Sequence, residues 1–200
     1  MRELLEEYNK KKDIINSRLN DFKNIKEEEI FYEMCFCLLT PQSSAKAADK
    51  CIQELKRLDF RNSYNLNPVK LLKNIRFSNN KSKYLLEAKE KYELIIKNIK
   101  EIKNEEELRE FLVKNIKGYG YKESSHFLRN IGYRNLAILD RHILKNLKKF
   151  NVIEDIQKSL KKKKYFEIEE KFKEFSNEIN IQMDELDLLF WSMEAGEVFK

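Results

Sequence analysis

The sequence predicts an all-α protein, and three observations carry that prediction. Only 4 Gly and 2 Pro punctuate 200 residues. That is too few for the turns of a β-sandwich or barrel, or for the glycine-rich loops of a doubly wound α/β fold. Glu, Lys, Leu and Ile dominate the composition, which favours long helices. Apolar residues also recur at helical spacing along most of the chain. With 42% hydrophobic and 37% charged residues, the chain is too apolar to be disordered, and it is long enough to bury a real interior.

Each element follows from its own signals. Leu4, Leu5, Tyr8, Ile15, Leu19 and Phe22 place a helix over Arg2 to about Phe22. A second spans about Glu27 to Leu39 and stops at Thr40-Pro41, since a proline disfavours helix in the residue before it. Ser43 or Ser44 caps a third, Ala45 to Leu58. A short helix follows Pro68, which suits a first turn. A long helix is expected from about Lys81 to Ile99, and another from Glu105 to Asn115. Helix Glu123 to Asn130 closes at Gly132, and Asp140 caps a helix through Phe150. The tail offers about Lys161 to Ile179 and, after Asp184, Glu185 to Glu194. The quartet Lys161-Lys164 reads as a solvated helix end.

The balance of 40 basic against 34 acidic residues gives +6 net, a modest pull toward polyanions. No apolar run reaches the roughly 18 residues of a membrane span, and the start of the chain lacks an apolar signal region. A cytoplasmic protein without a membrane partner is expected. Cys35, Cys37 and Cys51 are spaced for neither a zinc site nor a redox pair, so they read as reduced packing residues. The Lys, Glu and Ile bias fits a thermophile or an AT-rich genome.

Three of the four glycines fall in the stretch IKGYGYKESSHFLRNIGYRNLAILDRHIL. Gly118 and Gly120 flank Tyr119 between two helical patterns. A tight glycine turn there aims amide N–H groups of the following helix at one point, where a phosphate can sit. Lys122 opens that helix beside its partial positive charge, a field that disfavours a protonated amine. A neutral lysine is a nucleophile able to form a Schiff base with a sugar C1′. Asp140 lies 18 positions on, after the apolar run Leu136-Leu139. Taken singly, Asp140 is a helix cap and Lys122 a surface lysine.

Together these residues resemble the helix-hairpin-helix motif, with its downstream aspartate, of the DNA glycosylases of the endonuclease III superfamily. The segment LLTPQSSAKAADK at 38-50 is similar to the family's segment that brings a glutamine to the DNA opposite the extruded base, here Gln42. IRFSNNKSKYL at 75-85 resembles the loop carrying the intercalating wedge. The tail DELDLLFWSMEAGEVFK is similar to the short archaeal 8-oxoguanine DNA glycosylases of the second class. No cysteine follows Cys51, so the four-cysteine iron–sulfur cluster of many relatives cannot form. That argues against an endonuclease III or an adenine glycosylase proper.

The resemblance implies a bifunctional 8-oxoguanine DNA glycosylase and AP lyase acting on duplex DNA, as a monomer and without cofactor. An extruded lesion leaves a gap to be filled. Phe77 would be the wedge, with Arg76 and Lys81 holding phosphates, and Gln42 would hydrogen-bond toward the gap. Gly118 and Gly120 would approach the backbone phosphate. Lys122 would attack C1′, Asp140 would stabilise the positive charge on the sugar, and β-elimination would follow. The family's hairpins often hold a structural cation, which by matching positions would sit on the carbonyls of Lys114, Ile116 and Tyr119; no catalytic metal is implied. Lys200, whose ammonium or carboxylate can tell 8-oxoguanine from guanine, and Trp191 would read the base. His126 and His142 are more often structural residues.

The expected architecture is two helical lobes, 27-131 and 1-26 with 132-200, with Lys122 and Asp140 meeting in a cleft. A helix-hairpin-helix DNA-binding module without catalysis is the alternative reading, since the hairpin glycines alone would serve it.

Overall fold

The computed structural model describes residues 1–157 and 159–200. Their regular structure is entirely helical: α1 (Arg2–Lys23), α2 (Glu27–Leu39), α3 (Ala45–Arg57), a 3₁₀ turn (Pro68–Leu71), α4 (Ser78–Glu90), α5 (Tyr92–Glu101), α6 (Glu105–Asn115), α7 (Tyr121–Asn130), α8 (Arg141–Lys149), α9 (Lys162–Glu178) and α10 (Met183–Ala195). The all-α expectation holds. No helix among the described residues is long and apolar enough to cross a membrane. The chain divides into two compact units, Ile25–Phe127 and Met1–Asn24 with Leu128–Lys200.

In the unit of residues 25–127, α2 is the core helix. Phe31 to Leu39 are all buried, Glu33 being the one charged residue among them, as a helix apolar on nearly every face must be, and α3 and α4 pack on it. Ser44 caps α3 by accepting the Ala47 N–H at 3.1 Å, and Asn104 caps α6 by accepting that of Glu107 at 2.9 Å. Glu105, Glu106 and Glu107 then face the positive end of α6. Cys35, Cys37 and Cys51 are buried thiols, and burial pushes those of Cys35 and Cys51 above the usual range.

The long helix expected over 81–99 is two helices. It begins one turn early at Ser78 and turns at Lys91. The buried positions Lys81, Leu85, Ala88, Tyr92, Ile95 and Ile99 keep one helical period across the break, so periodicity alone could not reveal it. At the turn, Lys91 Nζ donates to the Asn115 carbonyl at 3.1 Å and to Glu87 at 2.8 Å.

In the other unit, α1 packs on α10, and α8 and α9 pack on α10. Phe150, Phe172, Phe175 and Phe190 stack in this core, with ring centroids 5.8–6.2 Å apart. The start of α10 corrects a second expectation. Asp184 does not precede the helix but lies within it, buried, while Glu185 reaches back to accept the Gln182 N–H at 3.1 Å.

Helix α7 closes on a Schellman turn, in which Tyr133 N–H donates to Leu128 O and Gly132 N–H to Arg129 O. Gly132 has φ +95°, and a Cβ there would meet Lys23 Cα at 3.0 Å and Phe22 O at 3.3 Å. Dihedral and space both demand glycine. Gly132→Ala is expected to lower stability by about 1–3 kcal/mol, read as a shift in the urea midpoint at constant m-value.

Candidate active site

The hairpin between α6 and α7 is set by two close contacts. Gly118 has φ +97°, and a Cβ there would lie 2.7 Å from Tyr84 Cδ2 and 3.1 Å from Leu38 Cδ2. Tyr119 turns inward, and its buried hydroxyl donates to the Met34 carbonyl at 2.9 Å. This bond ties the hairpin to α2, and burial holds the phenol well above its ordinary range. The Ile116 carbonyl accepts the Tyr119 N–H at 3.1 Å.

Gly120 precedes α7, and its N–H turns back onto that helix. It donates to Glu123 Oε2 at 3.1 Å, which is half of a capping box. The other oxygen of Glu123 lies 2.8 Å from Lys122 Nζ, whose side chain is 25% exposed. One carboxylate therefore fixes the hairpin's last N–H and the ammonium of Lys122 together.

Two loops of the same unit carry the expected gap-filling residues. Gln42 is exposed at φ +55°, and Phe77 at φ +58° shows 53% of its surface. Neither is glycine, and the left-handed region costs an L-residue roughly 1–2 kcal/mol. Residues held so, with an aromatic ring left in solvent, point to a surface built for a ligand. The Arg76 guanidinium sits 5.2 Å from the Phe77 ring centroid. Gln42, Phe77, Asn80, Lys81, Tyr84 and Gly118 share one cavity of about 300 Å³.

Lys81 departs from its expected role at the loop surface. It is buried, and Nζ donates to Leu39 O at 2.7 Å, Pro41 O at 2.6 Å and Ser43 Oγ at 3.2 Å. An ammonium has three protons, and all three point inward. Its position on the apolar period of α4 and α5 was the overlooked signal. His126 is also inward, its ring edge-to-face with Phe36 at 5.8 Å.

In the other unit, Leu136 to Leu139 are buried and belong to neither helix nor strand. Their backbone groups need partners, and α9 supplies them. Glu169 Oε1 accepts the Ala137 N–H at 2.7 Å, and the Tyr165 hydroxyl donates to the Ala137 carbonyl at 2.5 Å. The segment delivers Asp140, half-buried, to the N-terminus of α8, where Oδ1 accepts the Ile143 N–H at 2.8 Å. The cap occupies that oxygen of the carboxylate.

Beneath it, Arg129 Nη1 donates to Asp187, and the Arg129 guanidinium lies over the Phe22 ring at 5.1 Å. Burial pushes the Asp187 carboxyl up to about 7, Arg129 opposing and the charges of Asp140 and Asp184 adding to the rise.

At the C-terminal end, Gly196 takes φ +83° and ends α10. The chain then folds back, so that Phe199 meets Trp191 at 6.1 Å between centroids. Val198, Phe199 and Lys200 are half-buried.

The family model described as 8-oxoguanine DNA glycosylase matches residues 15–181. The chain belongs to the 8-oxoguanine DNA glycosylase family. It is 49% identical over 194 residues to the 8-oxoguanine DNA glycosylase/AP lyase of Fusobacterium nucleatum, covering 92% of this chain and 89% of the relative. Identity to the protein of the same name from Methanocaldococcus jannaschii is 42%, covering 94% and 93%. The crystal structure of the M. jannaschii enzyme in complex with a 15mer DNA containing 8-oxoguanine superposes with a TM-score of 0.86 at 37% identity, covering all of both chains. The Thermotoga maritima 8-oxoguanine DNA glycosylase gives 0.89 at 30% identity, covering 100% and 97%.

Glu169 and Tyr165 were not legible in the sequence, because each acts on a backbone group about thirty residues away that only the fold brings near, whereas the contact of Glu123 with Gly120 is a local one that was overlooked in the sequence. Glu123→Ala is expected to cost about 1 kcal/mol through the lost half-box, whereas Glu123→Gln, which keeps an acceptor for Gly120, should cost less. Urea titration of the two variants side by side checks this.

Proposed function

We propose that this chain excises 8-oxoguanine from duplex DNA and then nicks the strand, with Lys122 as the nucleophile of both steps. The observation that carries the reading is Lys122 itself. It stands in the first turn of α7, behind a glycine hairpin whose shape is fixed by Tyr84, Leu38 and Met34, in a chain of the 8-oxoguanine DNA glycosylase family.

The lesion is extruded, and Phe77 and Gln42 occupy the gap. The ion pair of Lys122 with Glu123 parts, and the amine, having lost its proton, attacks C1′. The Nζ–C1′ bond forms as the bond to the base nitrogen breaks, and the base leaves with the bonding pair. The carboxylate of Asp140 stabilises the positive charge that builds on the sugar. Loss of a second nitrogen proton and opening of the ring give a Schiff base. It acidifies the C2′ protons, and β-elimination expels the 3′ phosphate. By family resemblance, the carbonyls of Lys114, Ile116 and Tyr119 would hold a cation in a purely structural role, that of Ile116 through the lone pair not used by the Tyr119 N–H. Lys200 and Trp191 read the base, supported by the docking of Phe199 on Trp191. All the named groups belong to one chain, so a monomer suffices, acting in the cytoplasm on chromosomal DNA.

Borohydride reduction on 8-oxoguanine duplex tests the nucleophile. The wild-type chain should become covalently trapped, and Lys122→Gln should lose trapping and excision while keeping DNA affinity. Absence of trapping in the wild type would leave a DNA-binding module, and an adduct persisting in Lys122→Gln would move the nucleophile elsewhere. Asp140→Asn keeps the α8 cap, since Asn caps about as well as Asp, so it should melt near the wild type while excision falls by orders of magnitude.

The tail gives a separate test. A charged hydrogen bond to the base is worth about 1.5–3 kcal/mol, roughly one to two orders of magnitude in rate. Lys200→Ala should therefore slow 8-oxoguanine excision by that factor and affect nicking of a preformed abasic site far less. Equal effects on both substrates would remove the Lys200 ammonium from base recognition.

A further inference from the structure

We infer that Lys81 is a positioning residue that locks the Gln42 and Phe77 loops into one rigid unit, so that its loss is felt in recognition of the lesion duplex more than in the chemistry. The inference rests on the reading of those two loops as gap fillers.

The geometry is a three-way clamp. From α4, the Lys81 ammonium reaches the last carbonyl of α2 at Leu39, the Pro41 carbonyl beside Gln42, and the Ser43 hydroxyl on its other side. That hydroxyl also accepts the Arg76 N–H at 3.0 Å, the residue before Phe77. Lys81 N–H in turn donates to the Phe77 carbonyl at 3.0 Å. The Lys81 side chain thus holds the chain on both sides of Gln42 directly, at the Pro41 carbonyl and the Ser43 hydroxyl, and reaches the Phe77 loop through that hydroxyl's bond to the Arg76 N–H. These are the same two loops in which a non-glycine residue sits at positive φ. Such conformations persist only where their surroundings over-determine them.

A stability role alone explains the clamp poorly. Burial, together with the nearby charge of Lys122, pushes the Lys81 amine down to about 8, Glu123 opposing. An amine held below its ordinary range is less comfortable as an ammonium in the fold than in water. At neutral pH its charge therefore works against folding. Packing alone would be served as well by an apolar side chain of the same length. What an apolar side chain cannot do is hold two carbonyls and a hydroxyl at fixed positions.

The test is steady-state kinetics of the full chain on 8-oxoguanine duplex, with Lys81→Met, Ser43→Ala, Gln42→Ala and Phe77→Ala. Lys81→Met is expected to raise KM about tenfold and to lower kcat by less. Gln42→Ala added to Lys81→Met should change KM by less than about twofold, because the loop it truncates is already slack. Full additivity of the two, or a Lys81→Met protein of native circular dichroism with wild-type KM, overturns the inference. Should Lys81→Met not fold, Ser43→Ala decides in its place: a raised KM supports the clamp, and a wild-type KM overturns it. Wild-type KM in both Gln42→Ala and Phe77→Ala would instead sink the gap-filling reading, and the inference with it.

Discussion

The constraint on which the 128–200 part of the molecule depends is the need to satisfy a buried backbone that has no regular structure. Leu136 to Leu139 run through the interior as neither helix nor strand. Each unpaired buried amide or carbonyl would cost about 1–3 kcal/mol, comparable to a large share of a domain's net stability. Glu169 and Tyr165 of α9 meet that need at Ala137. Because they fix the segment, they also fix where it ends, which is Asp140. The carboxylate at the mouth of α8 is thus aimed by a helix more than twenty residues downstream.

Around this segment the buried charges are arranged to carry geometry. Arg129 joins the end of α7 to Asp187 on α10 and sits over the Phe22 ring of α1. Asp184, one turn earlier on α10, accepts the N–H of Asn135 at 3.1 Å, a residue at φ +62°. Burial raises both carboxyls above their ordinary range. Polar groups of this kind contribute little net stability, since desolvation offsets the attraction. They do fix registers: α10 cannot slide along α7 or the 133–140 segment without stranding a buried charge.

The sequence disclosed what local chemistry governs. The cap at Ser44, the glycine closing α7, the Asp140 cap and the apolar stripe of α1 are all decided within a few residues, and the structure has them. The break at Lys91 stayed hidden because the buried period continues through it. Asp184 reads as a residue before α10 because a polar residue ahead of a helical pattern commonly marks a helix start, yet its partner, Asn135, is far away in sequence. Lys81 misled for the same reason. In a segment of Arg, Asn and Lys its charge suggested the surface, while its register with Leu85 and Ala88 assigned it to the inside. Where charge and period disagreed, period was the better guide.

Gly132 and the packing of α1 on α10 have a consequence for the order of assembly. The unit they belong to is made from both ends of the chain, whereas residues 25–127 find their partners among themselves. At roughly 5–20 residues per second, ribosomal synthesis reaches α10 on the order of 10–40 s after α1 has been made. During that interval the apolar stripe of Leu4, Tyr8, Ile15, Leu19 and Phe22 lacks the α10 surface on which α1 packs, and the charged and polar residues on the remaining faces of α1 keep it in solution. A helix made early in the chain is thus sheltered late, and a nascent chain arrested before residue 183 would present much of that stripe to chaperones and proteases.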